Sequence, residues 1–95
     1  MKKTSFSAEE ASIIALNFIA FLVSNEERIE RFSALTGLFL DDLKNGAQDS
    51  SFQGFVLEYA LQDESLILEF LADQPLDPQT LQLARYALPG ATYDM

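Results

Sequence analysis

The stretch Ser7–Ser24, SAEEASIIALNFIAFLVS, determines the fold of this 95-residue chain. It opens with Ser7 and, three residues later, Glu10, the pattern of a capping box in which each side chain accepts a hydrogen bond from the other residue's backbone. Apolar residues then fall on nearly every side of a helix that runs to about Ser24. Because a helix that is apolar all round is covered by other elements, we expect this segment to lie inside a bundle or under a partner.

The same stretch does not read as a membrane or export segment. Its apolar run, from Ala11 to Val23, is interrupted by Ser12 and Asn17 and falls short of the ~20 residues that a membrane span needs. The two glutamates before it stand where a signal peptide would begin its apolar stretch. We therefore expect a buried core helix and no membrane contact.

Start and stop signals predict further short helices along the rest of the chain. The predicted N-terminal capping residues are Ser24, Asp41, Ser50, Asp63 and Asp77. The predicted stops are Gly37, Asn45–Gly46, Pro75 and Pro89–Gly90. No Gly or Pro separates the segments on either side of Asp63, so these are two helices or one bent helix.

These signals predict an all-α fold, a compact bundle of five or six short helices with the first helix central. The predicted inner stripes are Ile29, Phe32 and Leu35 in the second helix and Leu81, Ala84 and Leu88 in the last, with Arg85–Tyr86 at the edge of the core. We expect one helical domain over residues 7–90, a disordered arm at 1–6 and a flexible tail at 91–95.

The segment from Ile29 to Gly46 has the pattern of a helix-turn-helix, with Gly37 in the turn. The helix that would enter DNA begins at Leu40 and carries Asp41–Asp42, whose carboxylates would face phosphates. Lys44 is the single cation of that helix. We therefore favour two packed helices with a tight corner, do not expect nucleic acid as a partner, and keep a helix-turn-helix transcriptional regulator as the alternative function.

The amino-acid composition excludes several common kinds of enzyme catalysis. The chain has no Cys and no His, which excludes thiolate nucleophiles, disulfides and imidazole acid–base or metal chemistry. The acidic pairs Asp41–Asp42 and Asp63–Glu64 both fall at predicted helix starts, where capping accounts for them better than Mg²⁺ binding. We predict no catalytic residue, no metal, no cofactor and no enzymatic activity.

The charge of the chain narrows the choice of partner. Fifteen acidic and six basic residues give a formal net charge of -9, which repels phosphate backbones and anionic lipids. Such a charge mainly supports solubility, and a basic protein partner is the second reading. We expect a cytoplasmic protein.

Two groups of residues are candidate partner contacts. The turn Leu38–Phe39–Leu40 carries an aromatic residue where polar residues are usual, so Phe39 either plugs the end of the bundle, which we favour, or forms part of an exposed apolar patch. Arg28 and Arg31 lie one turn apart on the predicted second helix. They either bind an anion together or, as we favour, form ion pairs with Glu27 and Glu30 on a solvated face.

The excess of apolar residues, the acidic surface and the missing catalytic groups together predict a protein–protein interaction domain. It would act as an adaptor or regulatory subunit, or it would self-associate. The predicted contact residues are Leu38, Phe39, Leu40, Arg28 and Arg31.

Several blocks of the sequence, spread over most of the chain, carry a family resemblance. They are Ser7–Ala11, Ala15–Ala20, Glu30–Phe32, Leu35–Leu38, Asp42–Leu43, Asp77–Pro78, Ala84–Arg85 and Leu88–Gly90. In this order they resemble a family of small alphaproteobacterial proteins of unknown function. The resemblance implies a bacterial, cytoplasmic, helical protein and brings no activity, cofactor or site with it. The chain departs from the family pattern at Phe39–Leu40, after the Gly37 turn, where the family has polar residues or Pro.

Overall fold

A computed structural model describes residues 7–89 of the chain, and this part is all-α. Its six helices are α1 (Ala8–Val23), α2 (Glu26–Thr36), α3 (Leu40–Gly46), α4 (Ser50–Leu61), α5 (Glu64–Leu71) and α6 (Pro78–Tyr86). The predicted bundle of short helices is thereby confirmed. The predicted arm at 1–6, the tail at 91–95 and Gly90 lie outside the described residues.

Helix α1 begins as the sequence predicts and forms the centre of the bundle. The Ser7 N–H donates to Glu10 Oε1 at 3.2 Å, and the Glu10 N–H donates to Ser7 Oγ at 3.0 Å. The helix packs against α2, α4 and α6. The residues that it buries are Ala11, Ile14, Ala15, Phe18, Ile19 and Leu22. Ile13 and Val23 stay exposed, so the cover of α1 is incomplete.

Two aromatic contacts join helices of the bundle, one between α1 and α5 and one between α2 and α4. The rings of Phe18 in α1 and Phe70 in α5 meet edge to face with 5.2 Å between their centroids. Phe32 of α2 meets Tyr59 of α4 in the same way at 4.9 Å. Such pairs add about 0.5–1.5 kcal/mol each beyond the burial of their area.

Asp63 and Asp77 cap their helices as predicted. Asp63 Oδ1 accepts from the Leu66 N–H at 3.2 Å, and Asp77 Oδ1 accepts from the Thr80 N–H at 3.0 Å. Asp63 has extended backbone angles, so the chain leaves the helical conformation there. Of the two alternatives left by the sequence, α4 and α5 are therefore two helices.

Three other predicted caps are wrong by one or two positions. Asn25 caps α2 instead of Ser24, and its side-chain oxygen accepts from the Arg28 N–H at 3.1 Å. Asp49 caps α4 instead of Ser50, with the Phe52 N–H donating to its carboxylate at 2.8 Å. In both cases a capping-type residue stands directly beside the predicted one, and sequence spacing alone does not choose between neighbours.

The start of α3 is also different from the prediction. Phe39 occupies the capping position, and its backbone N–H donates to Asp42 Oδ2 at 2.8 Å. Asp41 is therefore not the cap; it lies in the exposed first turn, where its charge suits the positive end of the helix dipole.

The corner between α2 and α3 is formed as predicted at Gly37. This residue has a left-handed φ of 79°, and its N–H donates to Ser33 O at 2.8 Å to end α2. The prediction of a buried stripe on α2 is only partly correct. Phe32 is fully buried and Ile29 packs against the core, but Leu35 is 64% exposed. Because α2 leaves α1 at an angle of 108°, its C-terminal half extends away from that helix.

Among residues 7–89, the single helices all fall short of the length and apolar character that crossing a membrane requires. Only α1 and α2 taken together have that length and apolar character, and this pair is bent by 108° at its junction.

Gly54 of α4 lies close against Arg85 of α6 and against Pro89, which yields the first prediction. A Cβ atom at this position would lie 2.5 Å from Pro89 O and 2.9 Å from Arg85 Nη1. We expect Gly54→Ala to lower the free energy of unfolding by about 1–3 kcal/mol, because overpacking forces the backbone apart. Urea unfolding measures the change, and the exposed Ser51→Ala on the same helix is the control. Equal stability of the two variants would show that α4 and α6 are not in this contact.

Candidate functional site

A groove runs beside α2, with α2 on one side and α4 and α5 on the other. Its first part lies between α2 and α5 and has a volume of about 460 Å³; its second part lies between α2 and α4 and has a volume of about 690 Å³. Arg31, Tyr59, Asp63 and Ser65 belong to both parts. The lining residues on α2 extend from its capping residue Asn25 to Thr36. The groove therefore follows the whole helix, a length of about 16 Å for eleven residues.

The charges around this groove are mainly negative. Five carboxylates and two guanidinium groups line it, namely Glu27, Glu58, Asp63, Glu64 and Glu69 against Arg28 and Arg31. We call it the acidic groove. Its second part also has apolar walls, formed by the exposed side chains of Leu35 and Phe55.

Arg28 is fixed in the wall of the groove. Its guanidinium lies 3.7 Å from the centroid of the Phe21 ring, and Nη1 donates to Phe21 O at 3.1 Å. Its Nε lies 3.5 Å from Glu69 Oε1 of α5. The side chain is 24% exposed. Arg28 therefore satisfies a carbonyl at the end of α1 and links α1, α2 and α5.

Arg31 forms an ion pair across the groove. Its Nη2 lies 3.1 Å from Asp63 Oδ2, which joins α2 to the start of α5. The Arg31 side chain is 61% exposed and that of Asp63 is 19% exposed, so solvent screens the pair and its net contribution is about 0–1 kcal/mol. The prediction that Arg28 and Arg31 pair with Glu27 and Glu30 on their own helix is wrong, because both arginines reach carboxylates of another element.

Tyr59 forms the floor where the two parts of the groove meet. The residue is 8% exposed, and its buried hydroxyl forms no hydrogen bond of standard geometry with any residue in 7–89, although Arg31 is close enough to act on it. Burial raises the pKa of Tyr59 above 10.0; the Arg31 charge opposes this shift and the Asp63 charge adds to it. An unsatisfied buried hydroxyl costs free energy, and such groups are uncommon.

The predicted contact residues do not form one site. Arg28 and Arg31 line the acidic groove, whereas Leu38, Phe39 and Leu40 do not. Leu38 packs against the core, Leu40 is exposed, and Phe39 is 64% exposed. The favoured interpretation of Phe39 as a plug is therefore wrong, and its side chain projects into solvent.

Sequence reasoning did not identify Leu35, Phe55, Tyr59 or Asp63 as site residues. Helical spacing placed Leu35 at an inward position, and Asp63 had a sufficient role as a cap. The net charge of -9 was the one signal that pointed toward an acidic surface.

Outside the groove, Arg85 is the other guanidinium with a defined role. It is buried, its Nε donates to Glu58 Oε1 at 2.9 Å, and Nη1 donates to Pro89 O at 3.3 Å. These bonds hold the end of α6 against α4. No set of three or more acidic side chains within residues 7–89 is arranged to hold a metal ion.

Comparison with known proteins identifies a family. Residues 8–91 match the family model described as "Protein of unknown function (DUF3572)". The chain belongs to this family. No curated protein and no solved structure matches the chain. The match covers all six helices, so the acidic groove lies entirely within the family domain.

The contacts of Arg28 yield the second prediction. Arg28→Ala removes the ring contact, the bond to Phe21 O and the pair with Glu69, so we expect the free energy of unfolding to fall by about 1–2 kcal/mol. Arg31→Ala, which removes an equal charge from a more exposed site, is the control and should cost less than about 1 kcal/mol. Urea unfolding of both variants checks this, and a larger loss for Arg31→Ala would contradict the assigned roles.

The environment of Tyr59 yields the third prediction, on pH. Its pKa is higher in the folded than in the unfolded chain, so the unfolded chain loses the phenolic proton first as the pH rises. The free energy of unfolding should therefore fall above about pH 10, the unfolded pKa. Tyr59→Phe should show a smaller fall over this range in pH-dependent urea unfolding. An identical alkaline profile for the variant would mean that Tyr59 is not protected from ionisation.

Proposed function

We propose that this chain is a protein–protein interaction domain that binds a basic, amphipathic helix of another protein in the acidic groove. The observation that carries the proposal is the combination of apolar walls and an acidic rim in one groove. Leu35 and Phe55 offer apolar surface to a helix, and the surrounding carboxylates complement Lys and Arg on the flanks of that helix.

The size of the groove supports a helix as the occupant. A groove of about 16 Å accommodates roughly three turns, the length over which an amphipathic helix presents its apolar anchors at i, i+3, i+4 and i+7. The aromatic and aliphatic walls are residue types that supply anchoring contacts in interfaces.

Charge favours a basic partner over a second copy of this chain. Two copies would bring together chains that each carry a formal charge of -9, and their acidic grooves would repel. The exposed carboxylates of Asp41 and Asp42 at the start of α3 likewise disfavour the alternative function as a helix-turn-helix regulator, because they would oppose phosphates.

We also propose that the protein acts without catalysis and in the bacterial cytoplasm, in an alphaproteobacterium. The lack of His and Cys in the sequence supports the first statement. The resemblance of the quoted sequence blocks to an alphaproteobacterial family supports the second. Leu38, Phe39 and Leu40 stay predicted partner contacts outside the acidic groove.

The fourth prediction is a direct binding measurement. The probe is a fluorescent amphipathic peptide of about 18 residues with a leucine face and Lys and Arg flanks; the control peptide has Glu at the flanking positions. We expect saturable binding of the basic peptide by fluorescence anisotropy, weaker binding at higher salt, and no binding of the acidic peptide.

Substitution of matched leucines locates the binding surface. Leu35→Ser, in the groove wall, should weaken binding of the basic peptide by about tenfold, the loss of one apolar anchor. Leu68→Ser is the control, since Leu68 on α5 is 61% exposed, close to the 64% of Leu35, and does not line the groove. Equal effects of the two substitutions, or equal binding of both peptides, would refute the proposal.

A further inference from the structure

The Arg31–Asp63 ion pair crosses the acidic groove where its two parts meet, and its two members are held differently. Asp63 is fixed, because its Oδ1 accepts from the Leu66 N–H in the cap of α5 and its side chain is mostly buried. Arg31 reaches Oδ2 from a side chain that is largely exposed. Opening the pair therefore moves Arg31 and leaves the carboxylate in place.

Building on the proposed groove function, we infer that an arginine of the bound helix replaces Arg31 as the ion-pair partner of Asp63. The acidic groove then contains an arginine-binding subsite, formed by the Asp63 carboxylate and the Tyr59 hydroxyl. Occupation of this subsite requires Arg31 to swing away from Asp63.

The unsatisfied hydroxyl of Tyr59 supports a subsite for an external donor. A guanidinium group has five N–H donors in one plane, so one incoming arginine can donate both to Asp63 and to Tyr59. Arg31, approaching from α2, reaches Asp63 at 3.1 Å without completing a hydrogen bond of standard geometry to the Tyr59 hydroxyl. An arginine entering along the groove can complete a hydrogen bond to the Tyr59 hydroxyl that Arg31, although near, does not form with standard geometry.

The displaced Arg31 has another partner nearby. Glu27 lies four residues earlier on α2, and among residues 7–89 it has no ion-pair partner in the unbound chain. Side chains at i and i+4 on a helix are neighbours, so Glu27 can receive Arg31 after the exchange. The exchange therefore leaves neither Asp63 nor Arg31 without an oppositely charged neighbour.

Arg28 does not take part in such an exchange. Its guanidinium contacts the Phe21 ring, Phe21 O and Glu69 together, and it is much less exposed than Arg31. Of the two arginines in the groove, Arg28 therefore stabilises the fold, and Arg31 occupies the site that an arginine of the partner can take.

The fifth prediction tests the exchange with the basic peptide described above, carrying one arginine at its centre. Arg31→Met removes the competing charge and keeps an apolar stem. We expect it to bind the peptide about two- to fivefold more tightly than the unmodified chain, the factor that corresponds to breaking one exposed ion pair. Removing any surface cation makes the chain more negative, which by itself slightly strengthens binding of a basic peptide. The gain from Arg31→Met must exceed this general charge effect. Lys44→Met, on the exposed face of α3, measures that general effect.

Two further variants examine the subsite itself. Asp63→Asn keeps the side-chain oxygen that caps α5 but removes the charge, and it should weaken peptide binding by about tenfold. Tyr59→Phe removes only the hydroxyl and should weaken binding about two- to fivefold. Circular dichroism checks that each variant remains folded. A peptide with citrulline in place of its central arginine should lose the gain given by Arg31→Met.

The outcomes separate the two proposals. If the peptide binds the unmodified chain and Arg31→Met binds no more tightly than Lys44→Met, the exchange is wrong while binding in the groove stands. If the peptide binds neither the unmodified chain nor Arg31→Met, both proposals are wrong. Tighter binding by Arg31→Met that disappears with the citrulline peptide supports the arginine subsite.

Discussion

Phe18 lies in the middle of α1, fully buried, and its ring packs edge-on against Phe70 of α5. The structure depends on this burial of α1. The other helices have between seven and twelve residues, and isolated helices of such length are marginal in water even with favourable sequences. They are stable because each places part of its apolar surface on α1 or on a helix that contacts α1. Since α1 is covered by α2, α4 and α6, losing its buried face would separate the whole bundle.

The acidic groove follows from the same arrangement. α2 leaves α1 at 108° and places Phe32 in the core, where its ring meets Tyr59. Its C-terminal half then extends beyond the cover of α1, and Leu35 remains exposed beside α4. Two arginines connect the exposed helix to α5, one firmly and one loosely. Apolar burial and the contacts of Arg28 thus set the position of α2, whereas the exposed Arg31–Asp63 pair leaves room for change.

The sequence predicts the parts of this structure that depend on local chemistry. The capping box at Ser7, the caps at Asp63 and Asp77 and the left-handed stop at Gly37 each follow from a few adjacent residues, and the structure contains all of them. Predictions fail where neighbours compete for one role, as at Ser24 and Asn25. They also fail where the answer depends on packing between distant segments. Leu35 has the spacing of an inner residue, and only the angle of α2 leaves it in solvent.

The candidate site could not be predicted from the sequence, because it too depends on contacts between distant segments. Arg31 and Asp63 are 32 positions apart in the chain, and nothing local indicates that they meet. Glu27 and Glu30 are the obvious local partners for the arginines, yet the fold offers fixed carboxylates on α5 and its cap. For Phe39 the sequence correctly indicated a turn, but it did not indicate that the side chain is exposed.

Binding of a basic helix in the acidic groove is tested most directly by a nuclear magnetic resonance titration of the isotope-labelled chain with the basic amphipathic peptide. We expect binding in the acidic groove, with chemical-shift changes concentrated at Leu35, Phe55, Tyr59 and Asp63. Changes centred instead on the exposed residues Leu68 and Leu83, or no changes at saturating peptide, would contradict it.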